Sequence, residues 1–530
     1  MDRVFSSSKV FRACHQQALV FLLRLLVRCN SKSKISNARI YHIFTKDPKS
    51  TTKTTHFLRT NPTNQGTLFV TVQNDLLFFN FMLVWSYVSD VEGNFHYWES
   101  FIRLSEALIR GIDGQLVLKD GYGFIFGGDS VDKGSGDIRV VRDLLQLKRT
   151  YPSRVFLLIG NRDLNKLRFG SELEDRESLT NPKFDRAAWF PPERRRTYDQ
   201  FLKDYDISDS IESRAKWMLS ETMGAETTFQ FRKAELHQLG LPCDDESVAH
   251  SFLHSVLPHS DENFMLQYLK QAQTMVRIGS TLFVHGGINN TNLGTVPGDD
   301  VRRTTVNEWM KDLNGWVEQQ LQEYEANNSW ARKPTEEDRD KGRTGVRGAE
   351  KLIEYGTPGG NNHKTVIYAY HFPNGNGEEL SEQTSKYLSQ SGVHRIIVGH
   401  QPHGDCPSVL ATDPMVQVVT GDTSYSDINQ ADNRGCAVSE ILLFEESQIV
   451  TVHGVLKDER LLSYSLPCPT FPSDTTTDPY IGKKLKGNFW VKSKLLSPPP
   501  DGREYMICKG SGYSLTIEWL STSEIQQNII

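Results

Sequence analysis

The chain has 530 residues with 60 Lys and Arg against 65 Asp and Glu, a net charge of −5, and that balance argues against a surface built to neutralise nucleic-acid phosphates. Length alone would allow three or four domains, but a 38% apolar share supplies one large core with insertions and excludes a chain disordered throughout. Seven dispersed cysteines, Cys14, Cys29, Cys243, Cys406, Cys436, Cys468 and Cys508, form no C-x-x-C pair, which speaks against a zinc ribbon or a disulfide framework and for a reducing, intracellular compartment.

Residues 1–65 read as leader and linker. The first part is basic, serine-rich and nearly free of acids, with Arg3, Lys9, Arg12, Arg24, Arg28, Lys32, Lys34, Arg39, Lys46 and Lys49 against Asp2 and Asp47. Such a leader fits a mitochondrial transit peptide, or else a solvated extension of a cytoplasmic protein. Its apolar stretch Ala18–Val27 is split by Arg24 and too short to span a bilayer, so no integral membrane span is expected. Residues 50–66, rich in Thr, Asn and Pro, read as linker.

The run Phe78–Val88 is nearly continuous in apolar residues and ends at Ser89-Asp90, as a buried strand reaching a polar loop would. GFIFGGD, RVFLLIGNRD, TLFVHGG, RIIVGHQPH and VQVVTGD repeat the pattern. Helical spacings over Trp98–Arg110 and Ile138–Arg149 lie between these runs, so the fold class is α/β. Sites in such folds form beyond the carboxyl ends of the strands. The organised domain is expected over 66–460, interrupted by helical insertions at about 171–274 and 290–392, followed by a β-rich extension over 461–530. The insertions read equally as a cap over the site or as peripheral decoration.

Chemistry-bearing residues stand at these strand ends: Asp90 in SDVEGN, Asp129 and Asp132 in GGDSVDKG, Asn161 in GNRD, His285 in HGG and His400 in GHQPH. One such residue is an ordinary turn residue, but the ordered set suits a pair of divalent ions about 3.5–4 Å apart that clamp both oxygens of an in-line displacement. The set resembles the phosphoprotein-phosphatase branch of the calcineurin-like metallophosphoesterases, whose strand-end motifs read GDxHG, GDxxDRG, GNHE, HGG and a late His. The likeness covers roughly 84–452.

That resemblance implies a layered calcineurin-like fold, a β-sandwich flanked by helices. It makes Asp129 the bridging carboxylate, puts Asp90 on the first metal, and puts Asn161, His285 and His400 on the second. A water shared by two cations would then be deprotonated near neutral pH and attack phosphorus. Lys133 stands in place of the family's phosphate-binding arginine. Tyr425, in the loop after VQVVT, stands where the family has a tyrosine closing over phosphate.

Three positions depart from the family pattern. Glu92 replaces a metal-binding histidine, making the first site richer in oxygen and favouring manganese, with iron, zinc or magnesium as the other options. Arg162 replaces the catalytic histidine and cannot act as a general acid, but it can bind phosphate and pair with Asp132. Asp163 replaces glutamate and keeps an orienting carboxylate. His403 is a further ligand candidate, although Pro402 occupies the spacing usual for a second ligand. Buried Cys406 reads as packing, since metal chemistry makes a thiolate nucleophile redundant.

The expected activity is hydrolysis of phosphate monoesters, on a phosphorylated protein or a small phosphomonoester, with preference for aryl esters. The same metal pair would also serve a nucleotide phosphoanhydride hydrolase. Glu92 and Arg162 motivate a third reading, a catalytically degenerate scaffold of the same fold.

Overall fold

The computed structural model describes residues 83–179, 196–335, 337, 345–357, 364–369, 380–412, 415–423, 433–469, 477–512 and 514–530, together with four strands between 40 and 80. The chain divides into two compact units, Met1–Phe81 and Met82–Ile530. In the first, Ile40–Thr45 pairs antiparallel with Thr54–Arg59, and Thr67–Val72 with Asp75–Asn80. The segment expected to be linker therefore contains a strand: TTHFLR is rich in β-formers, and pairing satisfies its backbone groups. Residues 1–39, the bulk of the expected leader, lie outside the described residues.

In the second unit β1, Val84–Val88, β2, Tyr122–Phe126, and β3, Val155–Leu157, are parallel neighbours. The apolar run Phe78–Val88 thus splits between β1 and the strand Asp75–Asn80 of the first unit. A second sheet contains β4, Met275–Ile278, β5, Thr281–Val284, β6, Arg395–Val398, β7, Ser408–Thr412, and β8, Gln417–Thr420. Its order is β4-β5-β6-β8-β7, with β5, β6 and β8 mutually parallel. The chain then returns to the first sheet as β9, Val438–Phe444, β10, Val450–Val455, and β11, Leu461–Leu466, β9 lying antiparallel to β1. A four-stranded antiparallel sheet of β12, Lys484–Leu485, β13, Phe489–Lys494, β14, Tyr505–Ser511, and β15, Ser514–Leu520, follows, and helix Thr522–Asn528 closes the chain.

Strand alternation divides the core in two. Trp85 and Tyr87 of β1 share one apolar cluster with Phe283, Ile397 and Val419 of the second sheet, and Tyr87 meets Phe283 at 5.6 Å between ring centroids. The alternate residues Val88, Phe124, Phe126, Val284 and Val398 face the helices in a second, larger cluster. Leu485, Val491 and Ile507 of the C-terminal sheet join the first cluster.

Helix Phe95–Leu104 buries Tyr97, Trp98, Phe101 and Ile102 and begins at Asn94, whose Oδ1 accepts the Tyr97 amide at 3.0 Å. It stops six residues before the expected Arg110, because Ser105 Oγ accepts the Ala107 and Leu108 amides and turns the chain into a short hairpin, Leu108–Arg110 with Leu116–Leu118. Helix Asp137–Thr150 packs Val141, Leu144 and Leu145 inward. The two long interruptions contribute helices at Tyr198–Tyr205, Ile211–Trp217, Thr228–Gln238, Asp245–His254 and Phe264–Gln271, then Val306–Ala326, Glu350–Tyr355 and Glu382–Gln390. Their Phe201, Trp217, Phe252 and Trp309 lie in the larger core cluster. Among the described residues no helix is long and apolar enough to cross a membrane.

Glu440 of β9 is fully buried and ties three elements together: it accepts from Ser86 Oγ and Ser105 Oγ, each at 2.5 Å, and from the Glu106 amide at 2.8 Å. His453 Nε2 stands 3.1 Å from its second oxygen. Glu440→Ala is expected to lower unfolding free energy by about 3 kcal/mol, because it strands several buried donors, as urea denaturation would measure. Burial alone would lower the His453 pKa, but the Glu440 carboxylate outweighs it and holds the imidazolium above its ordinary value. The pair therefore contributes stability that is fully present below about pH 6.5 and is lost as pH rises through the raised folded pKa. The stability gap between wild type and His453→Gln should be about 1 kcal/mol at about pH 5.5 and close toward pH 9, and a pH-independent gap would contradict the assigned charge.

Candidate metal centre

The parallel strands of both sheets deliver their polar ends to one place. Asp90 follows β1, Asp129 follows β2, Asn161 follows β3, His285 follows β5, His400 follows β6 and Asp422 follows β8. The turns there are tight. Asp90, Glu92, Asp129, Asp132 and His400 all have positive φ, five of the ten non-glycine residues that do so among the described residues. Each such conformation costs roughly 1–2 kcal/mol and persists where the surroundings over-determine it. Two glycines are there for closeness: a Cβ on Gly160 would collide with Asp129, and one on Gly399 with Ser89 and Asp90.

Two overlapping donor groups result. Asp129, His285 and His400 each present one ligand atom within 4.8 Å of the others, and so do Asp90, Glu92 and Asp129. Asp129 belongs to both. The His285 Nδ1–Gly127 carbonyl contact, 2.8 Å, turns Nε2 toward Asn161 Oδ1 at 3.2 Å and Asp129 Oδ1 at 3.3 Å. The rings of His285 and His400 are 5.2 Å apart, and Tyr368 meets His400 edge-on at 4.6 Å. Both Asp90 oxygens accept the His400 amide at 3.1 Å, and Ser89 Oγ donates to one of them.

The protonation pattern follows from burial. Burial pushes Asp90 up to about 7, with Asp129 adding repulsion and His285 opposing both. Burial works against the His285 imidazolium, yet neighbouring Asp129 raises it to about 10. Asp129, although burial would raise it, is held well below the usual carboxylate range, chiefly by His285. Burial and the His285 charge lower His400 to about 3, so its ring is neutral. A set of two buried carboxylates, one buried and one half-buried imidazole and a half-buried amide oxygen matches what divalent cations require, so these residues could hold metal ions.

Basic groups rim this set. Arg162 donates its amide to Asp129 Oδ1 at 2.9 Å, Nε to Glu92 at 2.7 Å and Nη1 to Asp132 Oδ2 at 3.3 Å. Lys133 Nζ stands 3.6 Å from Glu92, and Arg434 Nη1 donates to Glu92 at 2.5 Å. Asp132 also receives Lys166 Nζ at 2.7 Å, a buried ammonium whose pKa burial lowers. Asp163 does not face the donor set directly: its carboxylate accepts the amides of Gly160 at 2.8 Å, Asp129 at 3.0 Å and Ser130 at 2.9 Å, and Ser130 Oγ at 2.6 Å. It is the clamp that joins the GNRD turn to the GGDS turn.

The first long interruption reaches this site. In helix Thr228–Gln238, Thr228 Oγ1 donates to the Asp132 carbonyl, and Arg232 Nη2 donates at 3.0 Å to Asp137, whose other oxygen accepts the Asp132 amide. Glu235 accepts the Ile138 and Arg139 amides at 3.0 and 3.1 Å, capping helix Asp137–Thr150. This helix buttresses the Asp132 loop from behind.

Asp90, Glu92, Asp129, Asn161, His285 and His400 thus come together, with Asp132, Lys133, Arg162 and Asp163 around them. The structure does not bring His403 to them: it is buried against Trp490, ring centroids 5.6 Å apart, and its carbonyl accepts Lys492 Nζ at 2.6 Å. Tyr425 lies outside the described residues. Cys406 is buried, as its packing role requires. Sequence reasoning passed over Asp422, Arg434, Lys166 and Tyr368. Asp422 carried a signal, since it ends VQVVTGD as Asp129 ends GFIFGGD; the other three follow no strand-end pattern.

No family model matches the chain, and no curated protein matches it. Solved structures similar to it include a cold-active protein-tyrosine phosphatase of the psychrophile Shewanella sp., at 14% identity and TM-score 0.36 over 81% of this chain and 99% of that one. A protein serine/threonine phosphatase from Saccharomyces cerevisiae gives 13% identity and TM-score 0.30 over 74% and 82%. A metallophosphoesterase from Sphaerobacter thermophilus gives 11% and 0.28 over 71% and 88%. At these TM-scores the likeness carries no weight on function, which rests on the side chains of the site.

Asp163→Ala is expected to release three amides and one hydroxyl at once, lowering unfolding free energy by about 3 kcal/mol and weakening Mn2+ binding at the Asp129 turn. Urea denaturation with calorimetric Mn2+ titration checks both. An unchanged Mn2+ affinity would mean that the turn keeps its shape without the clamp.

Proposed function

We propose that the protein is a calcineurin-like metallophosphoesterase that hydrolyses phosphate monoesters at a two-cation centre. The observation that carries this reading is the pair of donor groups sharing Asp129, each assembled from strand ends of the parallel strands. Asp90 and Asp129, with Glu92 beside them in the same donor group, would hold the first cation; Asp129, Asn161, His285 and His400 would hold the second. Bound there, two divalent cations would supply a deprotonated water and the charge that balances the phosphoryl oxygens. The oxygen-only character of the first position favours manganese or magnesium over zinc.

The chain's own contribution is fixed positive charge. Arg162 is held at three points by Glu92, Asp129 and Asp132, with its side chain 15% exposed, and Lys133 lies beside it. Both can receive phosphoryl oxygens, Arg162 through a planar fork and Lys133 as a point charge. A guanidinium does not give up a proton at ordinary pH. The departing oxygen of an alkyl ester, nearly as basic as hydroxide, gains most from protonation, worth about 10²–10⁴-fold; a phenolate, with a phenol pKa of about 10, gains less. The substrate reading is therefore a phosphomonoester with an aryl leaving group, phosphotyrosine-like, on a protein or a small molecule.

Asp129→Asn is expected to abolish hydrolysis of an aryl phosphate and weaken both cations, whereas His285→Ala should release mainly one, as activity and metal content measured together would show. Near-native activity in either variant would sink the two-cation reading. For matched peptides, kcat/KM on phosphotyrosine should exceed that on phosphoserine by about 10²-fold, and Arg162→His should narrow the gap. Equal rates on both peptides in the wild type would remove Arg162 as the selector.

A further inference from the structure

Both oxygens of Glu92 are already engaged. Oε1 accepts Arg162 Nε at 2.7 Å, Oε2 accepts Arg434 Nη1 at 2.5 Å, and Lys133 Nζ stands 3.6 Å from Oε2. Glu92 and Arg434 side chains are each 3% exposed, so solvent screens these contacts little. Arg434 continues to Asp422, with Nη2 at 3.4 Å from Oδ1. Arg162, Arg434 and Lys133 are thus matched to Glu92, Asp132 and Asp422.

Asp90 and Asp129 are matched differently. Among the described residues no lysine or arginine lies within ion-pair distance of Asp90, whose partners are Ser89 Oγ and the His400 amide. The Arg162 guanidinium stays 3.7 Å from Asp129, nearer to Glu92 than to it. A dication drawn to Glu92 would approach two guanidinium groups on the same carboxylate in a poorly screened site, where like charges repel strongly. At Asp90 no guanidinium or ammonium lies that close among the described residues, and at Asp129 the one guanidinium contact is the looser 3.7 Å approach of Arg162, so the cost there is smaller.

Resting on the two-cation reading above, we propose that Glu92 is a positioning residue and not a metal ligand: it holds Arg162 and Arg434 as a paired guanidinium element beside the first cation position, which draws its protein charge from Asp90 and Asp129 alone. Two consequences follow. The first position, with two protein carboxylates, binds its cation more weakly than the second, with four donors. Glu92 affects phosphate binding through the placement of Arg162, while Arg434 holds Glu92 from the far side.

The test is calorimetric titration of metal-free, full-length protein with Mn2+, followed by titration of the loaded protein with inorganic phosphate. Wild type should show two Mn2+ sites differing by about tenfold or more in affinity. Glu92→Gln should keep both within about threefold while the phosphate Kd rises about tenfold. Either single change can unfold a buried cluster by stranding the partner, so the double variant Glu92→Gln with Arg434→Met, which removes both charges of the pair, accompanies it and should behave alike. Loss of one Mn2+ site, or Mn2+ binding weakened about tenfold, in Glu92→Gln and in the folded double variant overturns the proposal and makes Glu92 a ligand. Unchanged phosphate affinity in both variants also overturns it. The two-cation reading fails separately, if wild type binds fewer than two Mn2+ or if Asp90→Asn and His285→Ala each leave both sites filled.

Discussion

A carboxylate taken out of water has to be matched by positive charge or by hydrogen bonds, and this constraint shapes the centre of the molecule. Asp90, Glu92, Asp129, Asp132, Asp163 and Asp422 are all buried within one region where the strands of two sheets end. Each is answered in its own way. Asp163 takes backbone amides, Asp132 takes Lys166 and Arg162, Glu92 takes two guanidinium groups, and Asp422 takes Arg434. Asp129 is answered mainly by His285, and Asp90 by a hydroxyl and an amide, with burial pushing its pKa up to about 7. Asp90 is thus the carboxylate left without a cationic partner at ion-pair distance among the described residues, and it stands in the acidic donor group beside Asp129, where a cation would be matched.

The backbone is arranged to serve that charge pattern. Left-handed conformations at Asp90, Asp129 and His400 turn the chain immediately after its strand, so that the polar side chain and not the next strand residue meets its counterpart from the other sheet. Gly160 and Gly399 let neighbouring turns approach to distances no side chain would allow. Asp163 then fastens two of these turns together through amides, which fixes Asp129 without depending on any ligand. The helix Thr228–Gln238, far away in sequence, finishes the job by holding the Asp132 loop through Thr228, Arg232 and Asp137. A segment that reads as an interruption is thereby a structural part of the site.

Much of the donor set was legible in the sequence because strand ends leave a local signature: an apolar run, then Asp, Asn or His, with a glycine beside it at Asp129, Asn161, His285 and His400. Asp90, Asp129, Asn161, His285 and His400 all carry it, and the alternation of such runs with helical spacings announces an α/β fold. Periodicity reports which face of a strand is buried and where the strand stops, so it also locates what lies at the end. It does not report which strands are neighbours. That the six strand ends converge, with β9 returning beside β1 and β8 placing Asp422 beside Arg434, was decided by tertiary pairing between segments as far as 362 residues apart in their contacts, such as Leu83 with Glu445. The surroundings of Glu92 and His403 were decided there too. Glu92 reads as a ligand candidate from the family resemblance and His403 from its place near His400, but one carboxylate is enclosed by guanidinium groups and the histidine is packed against Trp490, because charge pairing and burial depend on neighbours in space that one-dimensional spacing does not encode.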